Sequence, residues 1–170
     1  MVLGSRLGLM EEVLGDHEAA LEVVTGPLET LERLGEKSFF STLAAQYARD
    51  LAVLGRLDEA EEFARKSREA SPIDDWASQI NWREALALVE AQRGNGEEAE
   101  RLAREAVGMT EGVDYLPQMG DAWYDLGFVL RAAGRKEEAA EAWRQALSLR
   151  EAKGDIPRAI RLREDLAALT

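Results

Sequence analysis

The chain has no cysteine and a single histidine among its 170 residues. Disulfides and thiolate metal sites are therefore excluded, and a cytoplasmic setting is expected. The lone His17 has no second imidazole or thiolate with which to complete a metal site. It lies in a turn-to-helix segment beside Glu18 and is expected to be an exposed helix residue. Positive charge is also scarce. Lys and Arg number 21 against 33 Asp and Glu, leaving a net charge of −12. That deficit disfavours nucleic acid, whose phosphates need clustered Lys and Arg, and it disfavours anionic membrane surfaces. The excess acid is read as solvated outer helix faces. No apolar run approaches the length that spans a bilayer. The opening Met1–Met10 is too short and too interrupted for a signal-peptide core.

Catalytic constellations are missing as well. Ser and Thr have no His partner for a nucleophile relay. The Glu pairs at 11–12, 61–62, 97–98 and 137–138 do not form acid/base dyads, because adjacent residues on a helix point in different directions. No Gly-x-x-x-x-Gly-Lys-Ser/Thr phosphate loop occurs. An enzyme is thus the least expected class, and neither cofactor nor metal is expected.

What the chain does have is a recurring phrase. It reads Gly15-Asp-His-Glu-Ala-Ala20, Gly55-Arg-Leu-Asp-Glu-Ala60, Gly94-Asn-Gly-Glu-Glu-Ala99 and Gly134-Arg-Lys-Glu-Glu-Ala139, with steps of 40, 39 and 40 residues. A fixed period in this range is the mark of stacked helical repeats. Glycine after an apolar-periodic stretch suits a left-handed helix cap, and the acids that follow suit the positive start of the next helix. Each phrase therefore marks a tight turn inside a helical hairpin. Small residues (Gly8, Ala48, Ala87, Gly127) and the alanines at 20, 60, 99 and 139 recur at matching places, where they let the paired helices touch.

The spacing predicts nine helices, over 2–14, 17–34, 37–54, 57–70, 75–93, 96–109, 115–133, 136–152 and 156–169. They group into repeats at about 1–36, 37–73, 74–113 and 114–153, closed by a capping helix at 155–169. Asp74 and Asp114 are expected to cap the helices that follow them. Pro27 is expected to kink or break its helix, since it removes an amide donor and crowds the preceding turn. Ile156, Ala159, Ile160, Leu162 and Leu166 are expected to cover the open end of the stack. Trp123 and Trp143 are read as packing, and so, as the first reading, are Trp76 and Trp82.

The stretch Trp123-Tyr-Asp-Leu126-Gly127, Gly134 to Ala139, Trp143 and Ala146 resembles a tetratricopeptide repeat (TPR). The resemblance implies an all-α, right-handed solenoid of antiparallel hairpins. The 40-residue period exceeds that family's usual repeat of about 34 residues, and the extra residues between hairpins are read as longer first helices rather than as long loops. A second likeness runs through Phe39-Phe-Ser-Thr-Leu-Ala, Ser71-Pro-Ile-Asp-Asp and Gln79-Ile-Asn-Trp82-Arg83 to Ala106. These are similar to the C-terminal arrays of bacterial regulators that carry a class III cyclase and a P-loop ATPase domain.

Stacked helix pairs rotate slightly and so form a concave groove. Resemblance to the family places the first helix of each pair along it. The residues it assigns to partner binding are Arg6, Gln46, Arg49, Asn81, Glu84, Leu88, Tyr124, Asp125, Phe128 and Arg131. No Lys occupies the positions with which the family clamps a terminal carboxylate, so that clamp is disfavoured. The expected function is a protein-interaction or regulatory module that takes a protein or peptide into the groove. A freestanding adaptor and a homodimerisation scaffold are the alternatives.

Overall fold

The computed structural model describes residues 15–169. The helix expected over 2–14, and Arg6 with it, lies outside them. The described residues form eight helices: α1 (His17–Leu34), α2 (Lys37–Val53), α3 (Leu57–Ala70), α4 (Trp76–Gln92), α5 (Gly96–Thr110), α6 (Leu116–Ala132), α7 (Lys136–Lys153) and α8 (Ile156–Ala168). The pairs α2–α3, α4–α5 and α6–α7 are antiparallel hairpins. Helices α2, α4 and α6 pack side by side as one layer, and each outer helix α3 and α5 rests on its own partner and on the first helix of the next hairpin. Every described element is helical and the hairpins stack in order, which makes an α-solenoid.

The turns follow from the glycine phrase. At Gly94 the backbone takes φ 84°, and the next amide, of Asn95, donates back to the Glu90 carbonyl at 2.9 Å. That left-handed cap satisfies the last carbonyls of α4 and reverses the chain in three residues. Helices α3, α5 and α7 begin without any side-chain cap. Their first turns instead carry Asp58 and Glu59, Glu97 and Glu98, and Glu137 and Glu138, which complement the helix dipole.

Small residues set the hairpin spacing. Ala48, Ala60, Ala87, Ala99 and Ala139 are fully buried. At Gly127 a side chain is impossible without rearrangement, because an added Cβ would lie 2.1 Å from the Trp143 ring. Trp143 fills that space and donates its indole N–H to the Tyr124 carbonyl at 2.9 Å. Its ring stacks on Tyr124 with centroids 5.9 Å apart. Trp82 is buried under the guanidinium of Arg83, and Trp123 is half-buried against the same core. Trp76 is more open, at 40% exposure, and meets Tyr115 edge to face.

Four expectations need correction. The cap of α4 is Asp75, not Asp74: its carboxylate accepts from the Ser78 amide at 3.2 Å and the Ser78 hydroxyl at 2.8 Å. Asp114 caps nothing, since α6 starts after Tyr115 with Pro117 in its first turn. The first helices α2, α4 and α6 each run 17 residues, as the long period implies, and five-residue connections, 71–75 and 111–115, join one hairpin to the next. Pro27 does not break α1, which runs unbroken through it from His17 to Leu34. Val24, Leu28 and Leu31 on either side of the proline are buried with Phe40 and Leu43 of α2, and that packing offsets the lost backbone hydrogen bond. In α8, Ala159 and Leu162 are buried, but Ile156 and Ile160 are exposed. The capping helix covers the stack with a narrower stripe than its apolar pattern suggests.

Candidate functional site

The inner faces of α2, α4 and α6 lie next to one another, so side chains two hairpins apart can meet. Arg49 of α2 reaches Glu84 of α4 at 3.4 Å and grips Asp125 of α6 through both terminal guanidinium nitrogens. Glu84 and Asp125 are 2% and 1% exposed. Burial raises the Glu84 carboxyl well above its ordinary value, while Arg49 works against that shift. Burial likewise pushes Asp125 up to about 6, again opposed by Arg49. Gln118 donates to Asn81 at 2.8 Å and to Glu84 at 3.3 Å, which ties α6 to α4.

Beside this network lies a cavity of about 250 Å3. Its walls come from six helices. Helix α1 contributes His17, α2 contributes Arg49, Asp50 and Val53, and α4 contributes Leu88 and Gln92. Helix α6 adds Asp121, Tyr124, Asp125 and Phe128, α7 adds Arg150, and α8 adds Arg158 and Arg161. The two ends of the described array approach each other here. The Arg161 guanidinium lies 2.8 Å from where a Cβ on Gly15 would stand.

Of the groove residues read from sequence, Arg49, Leu88, Tyr124, Asp125 and Phe128 are brought together in this cavity. Glu84 stands behind them as the buried partner of Arg49. Asn81 faces Gln118. Gln46 is half-buried outside the lining. Arg131 is exposed, with its guanidinium 5.1 Å from the centre of the Phe128 ring.

His17, Asp50, Arg150, Arg158 and Arg161 in the lining were not read from sequence as groove residues. His17 is not an exposed helix residue: its Nδ1 lies 2.7 Å from an oxygen of buried Asp50. Arg150, Arg158 and Arg161 belong to α7 and α8, outside the first helices to which the family's groove positions apply. The sequence does carry a faint signal, since Arg158 and Arg161 are three apart and share a helix face. Among the described residues, no group of His, Asp and Glu is arranged to hold a metal ion. Nor is any described helix long and apolar enough to cross a membrane. The arrangement sets guanidinium forks beside aspartates, with aromatic and aliphatic walls between them.

Comparison with known proteins accounts for this architecture. Residues 78–152 and residues 42–66 each match a family model described as tetratricopeptide repeat. These segments are TPRs. Among solved structures, a Rap protein complexed with competence and sporulation factor superposes with a TM-score of 0.74 at 13% identity, covering 98% of this chain and 53% of its own. BtubC (BKLC) from P. vanneervenii gives 0.61 at 19%, covering 89% and 63%. A putative kinesin light chain with TPR-like repeats from Podosopora anserina gives 0.58 at 17%, covering 98% and 92%. At such identities the likeness concerns the fold. The chain spans about half the length of the Rap protein and under two thirds of BtubC. No curated protein matches the sequence.

Proposed function

We propose that this TPR array is a protein-interaction module that takes a peptide, or an extended segment of a partner protein, into the inner cavity. The observation that carries this reading is the convergence of six helices on one concave space. Its lining mixes arginine, aspartate and aromatic side chains, the composition that fixes a peptide's register and anchors its side chains. The Rap protein of the same fold was captured with a factor bound to it, which supports reading the shared scaffold as one that holds a ligand. Likeness to the arrays of bacterial cyclase and ATPase regulators supports placing the module in a larger signalling protein.

Selection of displayed random peptides against the full chain tests the binding reading. The retained peptides should lose about tenfold in affinity on Phe128→Ala, inside the cavity. They should be indifferent to Ile73→Ala, on an outer turn where Ile73 is fully exposed. The opposite pattern places binding on the outer surface and removes this reading. The coding frame upstream of Met1 tests the regulatory context, which requires it to continue into a cyclase or P-loop ATPase domain.

A further inference from the structure

We propose that the α7–α8 end of the cavity is a carboxylate subsite, in which Arg150, Arg158 and Arg161 take a carboxylate of the bound peptide. This inference rests on the peptide-binding reading above. The chain as a whole carries −12, yet the cavity gathers four arginines against three aspartates. Arg49 is already committed to Asp125 and Glu84. The other three arginines stand at the far end, and of the lining acids only Asp121 reaches them.

Their donors are poorly used. Arg150 is 8% exposed, and its Nε has no hydrogen-bond partner. Its terminal nitrogens reach Asp121 only at 3.4 Å and the Arg158 carbonyl at 3.5 Å. Arg158 meets the same Asp121 at 3.4 Å and Asp155 at 3.8 Å. Arg161 forms no ion pair or hydrogen bond among the described residues. Charge-assisted pairs of this kind normally close to about 2.7–2.9 Å, and on the outer surface Arg101 does hold Glu98 at 2.8 Å. A buried guanidinium with unmade bonds is costly. Arg150 and Arg158 share Asp121, Asp155 stands only at 3.8 Å from Arg158, and Arg161 has no ion pair among the described residues, which leaves room for one more anion.

The chemistry of that anion is constrained. A planar guanidinium fork matches a carboxylate with two parallel bonds. Asp50, Asp121 and Asp125 share the lining and repel a dianion more strongly than a monoanion, which favours carboxylate over phosphate. Leu88 and Phe128 in the same lining offer apolar contact to the adjoining peptide side chain. The carboxylate is either the peptide's C-terminal group or an Asp or Glu side chain.

Four pools of random heptapeptides distinguish the outcomes, each presented to the full chain and read by affinity capture and fluorescence anisotropy. The first has free C-termini and no Asp or Glu. The second is the same pool amidated. The third is amidated but contains Asp and Glu, and the fourth is amidated, free of Asp and Glu, and contains phosphoserine. A terminal-carboxylate subsite retains the first pool, with amidation weakening its ligands by roughly thirtyfold. A side-chain source retains the third pool. In either case Arg161→Ala produces a comparable loss, and it leaves the melting temperature unchanged because Arg161 has no ion pair or hydrogen bond to lose among the described residues. Equal binding of the second pool with no effect of Arg161→Ala overturns the carboxylate subsite while leaving peptide binding intact. Tighter binding of the phosphoserine pool overturns it in favour of phosphate. Retention of no pool removes the subsite and the peptide reading together.

Discussion

On the outer helices, arginines pair with carboxylates in water. Arg101 holds Glu98 and Glu105 along α5, and Arg135 spans from Glu138 of α7 to Glu100 of α5. On the inner helices, Arg49 reaches Glu84 and Asp125 where little water penetrates. The residue types are the same but the environments shift the carboxyls in opposite directions. Arginine hydrogen bonds hold Glu98 and Glu138 below their ordinary values, whereas burial lifts Glu84 and Asp125 above theirs. An outer pair is one of many replaceable contacts. The inner triad joins three hairpins through one guanidinium and fixes how α2, α4 and α6 sit against one another.

Arg49→Ala is the most severe way to break this contrast. It strips the counter-charge from two buried carboxylates, and such a change costs about 3–5 kcal/mol. Chemical denaturation should show that loss at neutral pH. Replacing the whole triad, as Arg49→Met with Glu84→Gln and Asp125→Asn, should recover much of it, since no buried charge then remains. If the triple variant is as unstable as the single one, the inner residues matter through their shape and hydrogen bonds rather than their charge.

Acidification separates the two faces by sign. Asp125 titrates near 6 in the folded chain and near 3.9 when unfolded. The folded state therefore binds the proton more readily between those values. Its contribution to stability is greatest below about pH 4 and is lost as pH rises through about 6. The outer carboxyls, held low, act in reverse: their contribution is present above about pH 4 and fades as pH falls through their folded values. Asp125→Asn should remove a decline on the order of 2 kcal/mol from the stability profile between pH 4 and 6. Profiles of the two proteins that run parallel through that window would show that Asp125 is not raised.

The inner and outer faces also differed in how far they could be read beforehand. The glycine phrase located the turns because a left-handed cap needs a residue without a Cβ, and the helices follow within a residue or two. The inner positions were legible through the family resemblance, which sets Arg49, Tyr124, Asp125 and Phe128 along the inner faces of the first helices, and the four do line one cavity. Arg150, Arg158 and Arg161 escaped notice because their meeting with α1 depends on curvature. Small rotations between hairpins accumulate until α8 comes opposite Gly15, and no local pattern records that sum. Pro27 and Ile160 misled for the complementary reason, since tertiary packing rather than local preference decides both.

His17 gives an intermediate case, at the edge of the inner face. It is half-buried, and its partner Asp50 is almost fully so. His17→Ala leaves a buried carboxylate short of a donor, and the expected loss is about 1–3 kcal/mol. That places it below Arg49→Ala, because one carboxylate is orphaned instead of two. His17→Asn keeps a side chain that can donate and should fall between the alanine variant and the parent. Equal losses for asparagine and alanine would show that the imidazole acts by packing and not through Asp50.

The smallest effect belongs to the outer face. Arg101→Ala deletes a residue that binds two glutamates, more partners than most exposed arginines have. Even so, its side chain is half exposed, and water and salt replace what the pairs supply. Both glutamates remain solvated after the change, so no desolvated charge is stranded. The melting midpoint should stay within the scatter of repeat measurements, and raising the salt concentration should shift parent and variant alike. A drop comparable to that of His17→Ala would mean that the outer ion pairs act as a connected network, and the distinction between the two faces would then be one of degree.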